Sequence, residues 1–301
     1  MVLDGGLLKN CDRIDLVFDR YLAKSLKDAV RDKRGSGTRF KVQANGKLPV
    51  RWSDFLFVSE NKKELFHFLA KEIHGHSFKE NKQILVTMDT KVLAVNSPAM
   101  PPCSHEEADS RIFIHILDAL EEGNNCFMIR TVDTDIVTIS LGKFHDIEAR
   151  YSDFDLWIKF GSGQSLRMIH INSICNQIGR PTARSLPFFH AFTGCDTTSA
   201  FKGKGKKSGW QTWKAFQAIT PVFEFLSQNP FSALSKESVE FMQLQKFVVL
   251  LYSKNTEAVT VNEGRKLIFA SNQNLDKIPP TEDALLQHAN RAIYQTGKLL
   301  I

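Results

Sequence analysis

The sequence predicts an α/β fold, with a mostly parallel central sheet flanked by helices and a helical C-terminal extension. Three observations predict it. Short apolar runs alternate with segments of helical period over the first two thirds of the chain. Acidic residues stand directly after these runs, where open α/β sheets place their sites. After about residue 180 the pattern turns helical throughout. The 301 residues, 43% of them hydrophobic, suffice for one large domain with an extension.

The elements follow in order. Ile14 to Phe18 (IDLVF) reads as a buried strand ending at Asp19. Residues 22–34 read as a basic helix stopped by Gly35 and Gly37. Residues 52–73 carry helical period, with Leu65, Phe68, Leu69 and Ile73 on one face. Lys82 to Val95 holds one or two strands, and a loop from Pro98 to Pro102 leads to a helix in HEEADSRIFIHILDAL. Phe113, Ile116, Leu117 and Leu120 line its buried side. Cys126 to Val132 reads as another buried strand, running into Asp133. A strand pair is expected near 136–142 and 154–160, a further strand at 167–171, and a helix near 172–178. Two late segments, SVEFMQLQKFVVLLY and PPTEDALLQHANRAIYQTGKLLI, read as buried helices, the second with Thr281 as N-cap.

Charge and cysteine usage narrow the function classes. The net charge of +6 favours polyanionic partners. Five widely spaced cysteines without a C-x-x-C pair argue against a disulfide framework or a structural zinc site. The first residues lack the apolar core of a signal peptide, and Phe247 to Tyr252 is too short to span a bilayer. The reading is a soluble, intracellular chain.

The acids form a constellation. Asp133 and Asp135 follow a strand two residues apart, so in extended chain both point to one face. Glu107 and Asp109 are also two apart; on a regular helix they splay by roughly 200°, and they converge only if Glu107 sits where the helix begins. Gathered carboxylates repel unless cations neutralise them, and oxygen donors of this kind suit magnesium. The same residues also fit plainer roles. Ser104 to Glu107 is an S-x-x-E capping box, and Asp133, Asp135, Asp153 and Asp155 fit turns. Residues 193–210, TGCDTTSAFKGKGKKSGW, place Gly203 and Gly205 among Lys202, Lys204, Lys206 and Lys207, ahead of a helix starting near Ser208. Such a turn makes either a phosphate-binding nest or a solvated basic loop. It lacks P-loop spacing.

Four blocks in order resemble the flap endonuclease/XPG-type nucleases of the PIN-like superfamily. VFDRYLAKSLKDAVRDKR resembles the F-D-G block, EEADSR the E-A-E/D block, TVDTDIVTI the D-x-D block, and TGCDTTSAFKGKGKK the G-C-D-Y…G-I-G-x-K-K block. The resemblance covers about residues 14–215 and implies a nuclease domain over 1–215, with an arch-like helical insertion at 20–80 and a helix–two-turn–helix. Residues 216–301 would be a helical extension. It implies two Mg²⁺ or Mn²⁺ ions held by Asp19, Glu107, Asp109, Asp133, Asp135 and Asp196. Asp4, in VLDGG, takes the place of the family's first-strand ligand, although the family's connecting helix has no counterpart before IDLVF, so the pattern reads as N-terminally truncated. Lys24 and Arg31 match the basic pair that contacts the scissile phosphate; seven residues apart on a helix, they share one face. Gly203, Lys204, Gly205, Lys206 and Lys207 would grip duplex phosphates, with K⁺ at the hairpin. Thr197 and Thr198 stand where the family has an aromatic. The implied activity is hydrolysis of nucleic-acid phosphodiesters, on DNA and in the nucleus. The alternative is a nucleic-acid-binding remnant that has lost catalysis.

Overall fold

A computed structural model describes residues 11–21, 37–47, 49–76, 78, 82–272, 274 and 277–300. It is α/β, with two separate three-stranded sheets. The chain forms two compact units, Met1–Glu122 and Gly123–Ile301. The basic helix expected at 22–34 lies outside the described residues, as do Asp4, Lys24 and Arg31.

In the first unit, β1 (Arg13–Leu16) runs parallel to β2 (Gln83–Met88), which forms an antiparallel hairpin with β3 (Lys91–Val95). Leu85 and Val92 carry the apolar face with Met100. The periodic segment after residue 50 is two helices, α1 (Trp52–Phe57) and α2 (Ser59–Gly75), broken at Val58, whose backbone is extended. Beneath the break, Asn61 is fully buried and fully used. Its amide donates to Thr38 O (2.8 Å) and Phe55 O (3.1 Å), and its oxygen accepts from Phe40 N (2.9 Å). Helix α3 (Ala108–Glu121) buries Phe113, Ile116 and Leu120 as its period requires.

The strand at β1 is half-buried rather than fully buried, and α3 holds it with charge. Asp15 meets His115 Nδ1 at 2.6 Å and the Arg13 guanidinium at 2.9 Å, while Arg13 also reaches Asp118 (2.7 Å) and Glu122 (2.9 Å). Burial opposes the Arg13 charge, but the Asp15 and Asp118 carboxylates outweigh it and hold the guanidinium above its usual pKa. Burial likewise raises the Asp15 carboxyl, yet His115 and Arg13 bring it below its ordinary value.

In the second unit, β4 (Cys126–Thr131) runs parallel to β5 (Asp155–Phe160), and β5 pairs antiparallel with β6 (Arg167–His170). Each sheet is thus mixed, with one parallel and one antiparallel pairing, instead of one mostly parallel sheet. The strand expected at 136–142 is instead part of helix α4 (Thr134–Glu148). Its β-branched run suggests a strand, but Ile136, Ile139, Phe144 and Ile147 are buried at helical spacing. Strand β4 is where expected but largely open: Ile129 is buried, whereas Met128 is 50% exposed.

Helices α5 (Ile171–Ile178), α6 (Arg180–Phe192), α7 (Lys206–Ala215), α8 (Thr220–Gln228), α9 (Val239–Tyr252), α10 (Val261–Asn272) and α11 (Glu282–Leu300) complete the unit. A Phe-rich core joins α6 to α7, α8, α9 and α11 through Phe188, Phe192, Trp213, Phe223, Phe247 and Leu285. The expected boundary near residue 215 therefore falls inside one core. Helix α4 approaches α6 closely because Gly142 has no side chain: a Cβ there would stand 2.5 Å from Pro187 Cγ. The expected N-cap of α11 is present, with Thr281 Oγ1 accepting from Ala284 N at 3.3 Å.

Candidate metal and nucleic-acid site

In the first unit the structure brings Asp19 to the start of α3. Strand β1 ends, and the Asp19 carboxylate accepts a hydrogen bond from Ala108 N, the first residue of α3, at 2.8 Å. Glu107 is the N-cap of that helix, with φ −89° and ψ 138°. Glu107 therefore sits where the helix begins, the position it needs if it is to converge with Asp109. The adjoining backbone runs alongside, with Arg20 N donating to Glu106 O at 2.7 Å. The expected capping box does not form, because the helix starts after Glu107 and Ser104 lies outside it. His105 Nδ1 instead meets Ser110 Oγ at 3.0 Å.

Arg111 is 1% exposed one turn into α3; its Nη1 donates to Phe18 O at 3.3 Å, and Asp19 supplies a nearby negative charge. Burial lowers its pKa despite that neighbour. Sequence reading missed Arg111, which lies within the EEADSR run, and it missed Asp89. Asp89 directly follows β2, parallel neighbour of β1, and lines the same small cleft as Asp19, with Phe18, Tyr21 and Phe66. Its φ of +51° marks a tight turn, and His67 Nε2 lies 2.9 Å from its carboxylate. An acid directly after a second parallel strand was the signal available.

In the second unit the D-x-D residues are not extended. Asp133 is the N-cap of α4, and its Oδ1 accepts from Asp135 N at 2.8 Å. Asp135 already lies in the first helical turn, so the shared face of an extended chain does not apply. Its Oδ1 is 2.9 Å from Nε2 of His190, a buried α6 residue that sequence reading did not single out. Asp196 is exposed in the first turn after α6. Asp153 lies in an exposed turn, and Asp155 opens β5 bonded to His170 and Trp157.

Helices α6 and α7 are joined by two successive turns, bridged at Cys195–Thr198 and Phe201–Lys204. A helix leaves its last four carbonyls without intrahelical partners. At α6 the backbone N–H groups of Thr193 and Gly194 reach Phe189 O and Ala191 O, and side chains reach all four: Thr193 Oγ1 reaches Phe189 O (2.7 Å), Lys206 Nζ reaches His190 O (2.9 Å), Thr198 Oγ1 reaches Ala191 O (2.6 Å) and His288 Nε2 reaches Phe192 O (2.8 Å). Thr198 thus has a structural use where the family resemblance expects an aromatic. Lys206 also donates to Gly194 O, so its ammonium is engaged with backbone. Burial lowers its pKa, with Cys195 and Asp135 opposing. Lys204 lies over the Tyr252 ring at 5.2 Å. Gly203 takes φ +69° at the exposed tip of the second turn, a conformation that suits glycine. The helix begins at Lys206, two residues before the expected Ser208.

Among the described residues, no group of three His, Cys, Asp or Glu side chains is arranged to hold a metal ion. The donor chemistry nevertheless fits a hard cation. Each unit offers carboxylates at helix starts or turns, and such oxygens suit magnesium or manganese rather than zinc. No helix among the described residues is long and apolar enough to cross a membrane. Compared with protein-family models, with curated proteins and with solved structures, the chain gives no match.

Proposed function

We propose that the chain is a divalent-metal-dependent nuclease that hydrolyses nucleic-acid phosphodiesters, structure-specifically on DNA, with two ions as cofactors. The observation that supports this reading best is the Asp19–Ala108 hydrogen bond, which brings Asp19 from 89 residues away to the backbone between Glu107 and Asp109. Asp19, Glu107 and Asp109 would be ligands in the first unit, and Asp133, Asp135 and Asp196 in the second. Mg²⁺ or Mn²⁺ held by these carboxylates would supply an activated water and neutralise charge on the leaving oxygen. The chain's own part is to hold carboxylates at fixed helix starts and to present the 203–207 turn to duplex phosphates, where contacts position without reading sequence. Within that turn Lys207 is an exposed cation with no such engagement, whereas the Lys206 ammonium is bonded to α6 and Lys204 lies over Tyr252. A DNA substrate places the protein in the nucleus, which the distribution of a tagged chain checks.

A second reading is an inactive nucleic-acid-binding protein. Its support is the contact of Asp135 with His190, which occupies one oxygen of a carboxylate that the first reading needs as a metal ligand. A labelled branched DNA incubated with the chain and Mg²⁺ or Mn²⁺ separates the two. The nuclease reading expects metal-dependent cleavage that falls at least about a hundredfold in Asp133→Ala and Asp19→Asn. Binding without cleavage, indifferent to both substitutions, would sink it and favour the second reading.

A further inference from the structure

The sheet of the second unit packs one face and leaves the other open. Along β5, Leu156 and Ile158 are fully buried, while Asp155, Trp157 and Lys159 alternate to the other side and are half-buried. Strand β4 adds exposed Cys126, Met128 and Arg130 to that side; β6 adds Met168, 47% exposed, and His170. Register lines these residues in rows. Arg130, Lys159 and Met168 form one row; Met128, Trp157 and His170 form the next.

The second row carries a fixed pair of rings. Trp157 and His170 stack with centroids 4.2 Å apart and planes at 14°. Asp155 accepts from Trp157 Nε1 at 2.9 Å and lies 2.7 Å from His170 Nε2. Ser173 Oγ stands 2.7 Å from His170 Nδ1. With the proton on Nε2, the ring donates to Asp155 and accepts from the Ser173 hydroxyl, so every polar atom of the pair is bonded. The first row carries charge. Arg130 and Lys159 are direct cross-strand partners, and like charges so placed repel. Asp155, the acid on this face, is already engaged by His170 and Trp157, and no ion pair to Arg130 or Lys159 occurs among the described residues.

We propose that this open face binds a single-stranded nucleic-acid segment. A base stacks on the Trp157–His170 pair, and the backbone phosphates lie along Arg130 and Lys159. Aromatic platforms flanked by cations hold single strands in this way, tolerant of sequence. The two rows are about 6.6 Å apart along the strands. Arg130 precedes Asp133 by three residues, so a strand lying on the face ends beside the D-x-D segment. Charge decides against a protein helix as occupant: covering Met128, Trp157 and Met168 with apolar side chains would bury Arg130 and Lys159 without partners. The proposal rests on the nuclease reading only for the class of partner.

The test uses the full chain in EDTA with a short fluorescein-labelled oligothymidylate, read by anisotropy across a salt series. Without divalent metal no cleavage is involved, so failure here and failure of the nuclease assay are read separately. Trp157→Ala is expected to weaken binding about tenfold, and Trp157→Phe to retain most of it, because a smaller ring still stacks. The double change Arg130→Ala, Lys159→Ala should lower the slope of log affinity against log salt by about 1.4. The double variant carries the test if Trp157→Ala does not fold, as judged by circular dichroism. An unchanged salt slope in the double variant, or unchanged affinity in a folded Trp157→Ala chain, would overturn the proposal. So would a dimer, seen by light scattering, that the double variant dissolves, since that makes a second copy the occupant.

Discussion

Asp15→Ala should destabilise the first unit by about 3 kcal/mol, close to the lower limit for breaking a buried ion pair. Asp15 is 21% exposed at its side chain and accepts from Arg13 Nε (2.9 Å), Arg13 Nη2 (3.0 Å) and His115 Nδ1 (2.6 Å). Charge-assisted bonds of this kind contribute about 1.5–3 kcal/mol each before compensation. Compensation is substantial here. Arg13, 4% exposed, keeps Asp118 at 2.7 Å and Glu122 at 2.9 Å, so its charge is not stranded. His115 fares worse: its Nε2 already lacks a hydrogen-bond partner, and Asp15→Ala removes the acceptor at Nδ1. Asp15→Asn keeps one acceptor oxygen and should cost about half as much. The pH dependence carries a definite sign. Burial alone would raise the Asp15 carboxyl, but His115 and Arg13 hold it below the unfolded value of 3.8. Its contribution is therefore present above about pH 3.8 and is lost as pH falls further, so the acid limb of the Asp15→Asn stability curve should be shallower. Urea unfolding at neutral and acid pH measures the loss, and amide hydrogen exchange locates it in β1 and α3. An unchanged unfolding midpoint in Asp15→Ala, or lost protection confined to the second unit, would refute the reasoning.

Three further expectations concern the second unit. Burial lowers the His288 pKa below its unfolded value of 6.5, only partly offset by the Phe192 carbonyl, so the neutral ring is the one the fold accepts. That contribution is complete above about pH 6.5 and fades as pH falls, so a His288→Gln chain should lose part of the wild-type decline in melting temperature between pH 6.5 and 5; identical pH profiles would count against it. Lys207→Glu should weaken duplex binding and reduce the salt slope by about 1 or more with stability unchanged, whereas Lys206→Met should cost about 1 kcal/mol of stability by uncapping His190 O and Gly194 O. Melting curves beside a binding titration check both, and a Lys206→Met chain of full stability that no longer binds would show the capping argument to be wrong.

Much of the element order was legible from residues alone. The hairpin of β2 and β3, helix α3 and the late helices follow from local period, because burial of one face imposes that period on the residues. Residues 136–142 misled, since Ile, Val and Thr favour strands locally while Asp133 and a buried face at helical spacing determined a helix. Residues 14–18 misled differently. They look like a core strand, but Arg13 and Asp15 make β1 a half-buried strand held by ion pairs to a helix about a hundred residues on.

For the candidate site, the sequence by itself determined the residue types and their order: acids after strands, acids at helix starts, and glycines among lysines before a helix. Only the tertiary structure decided their company. It placed Asp19 against the start of α3, set His190 beside Asp135, and turned Lys206 onto the α6 carbonyls. The first two contacts join residues far apart in the chain, and the third crosses the two turns between α6 and α7. Local pattern records a residue's own backbone and face, and carries no information about which distant polar group will meet it there.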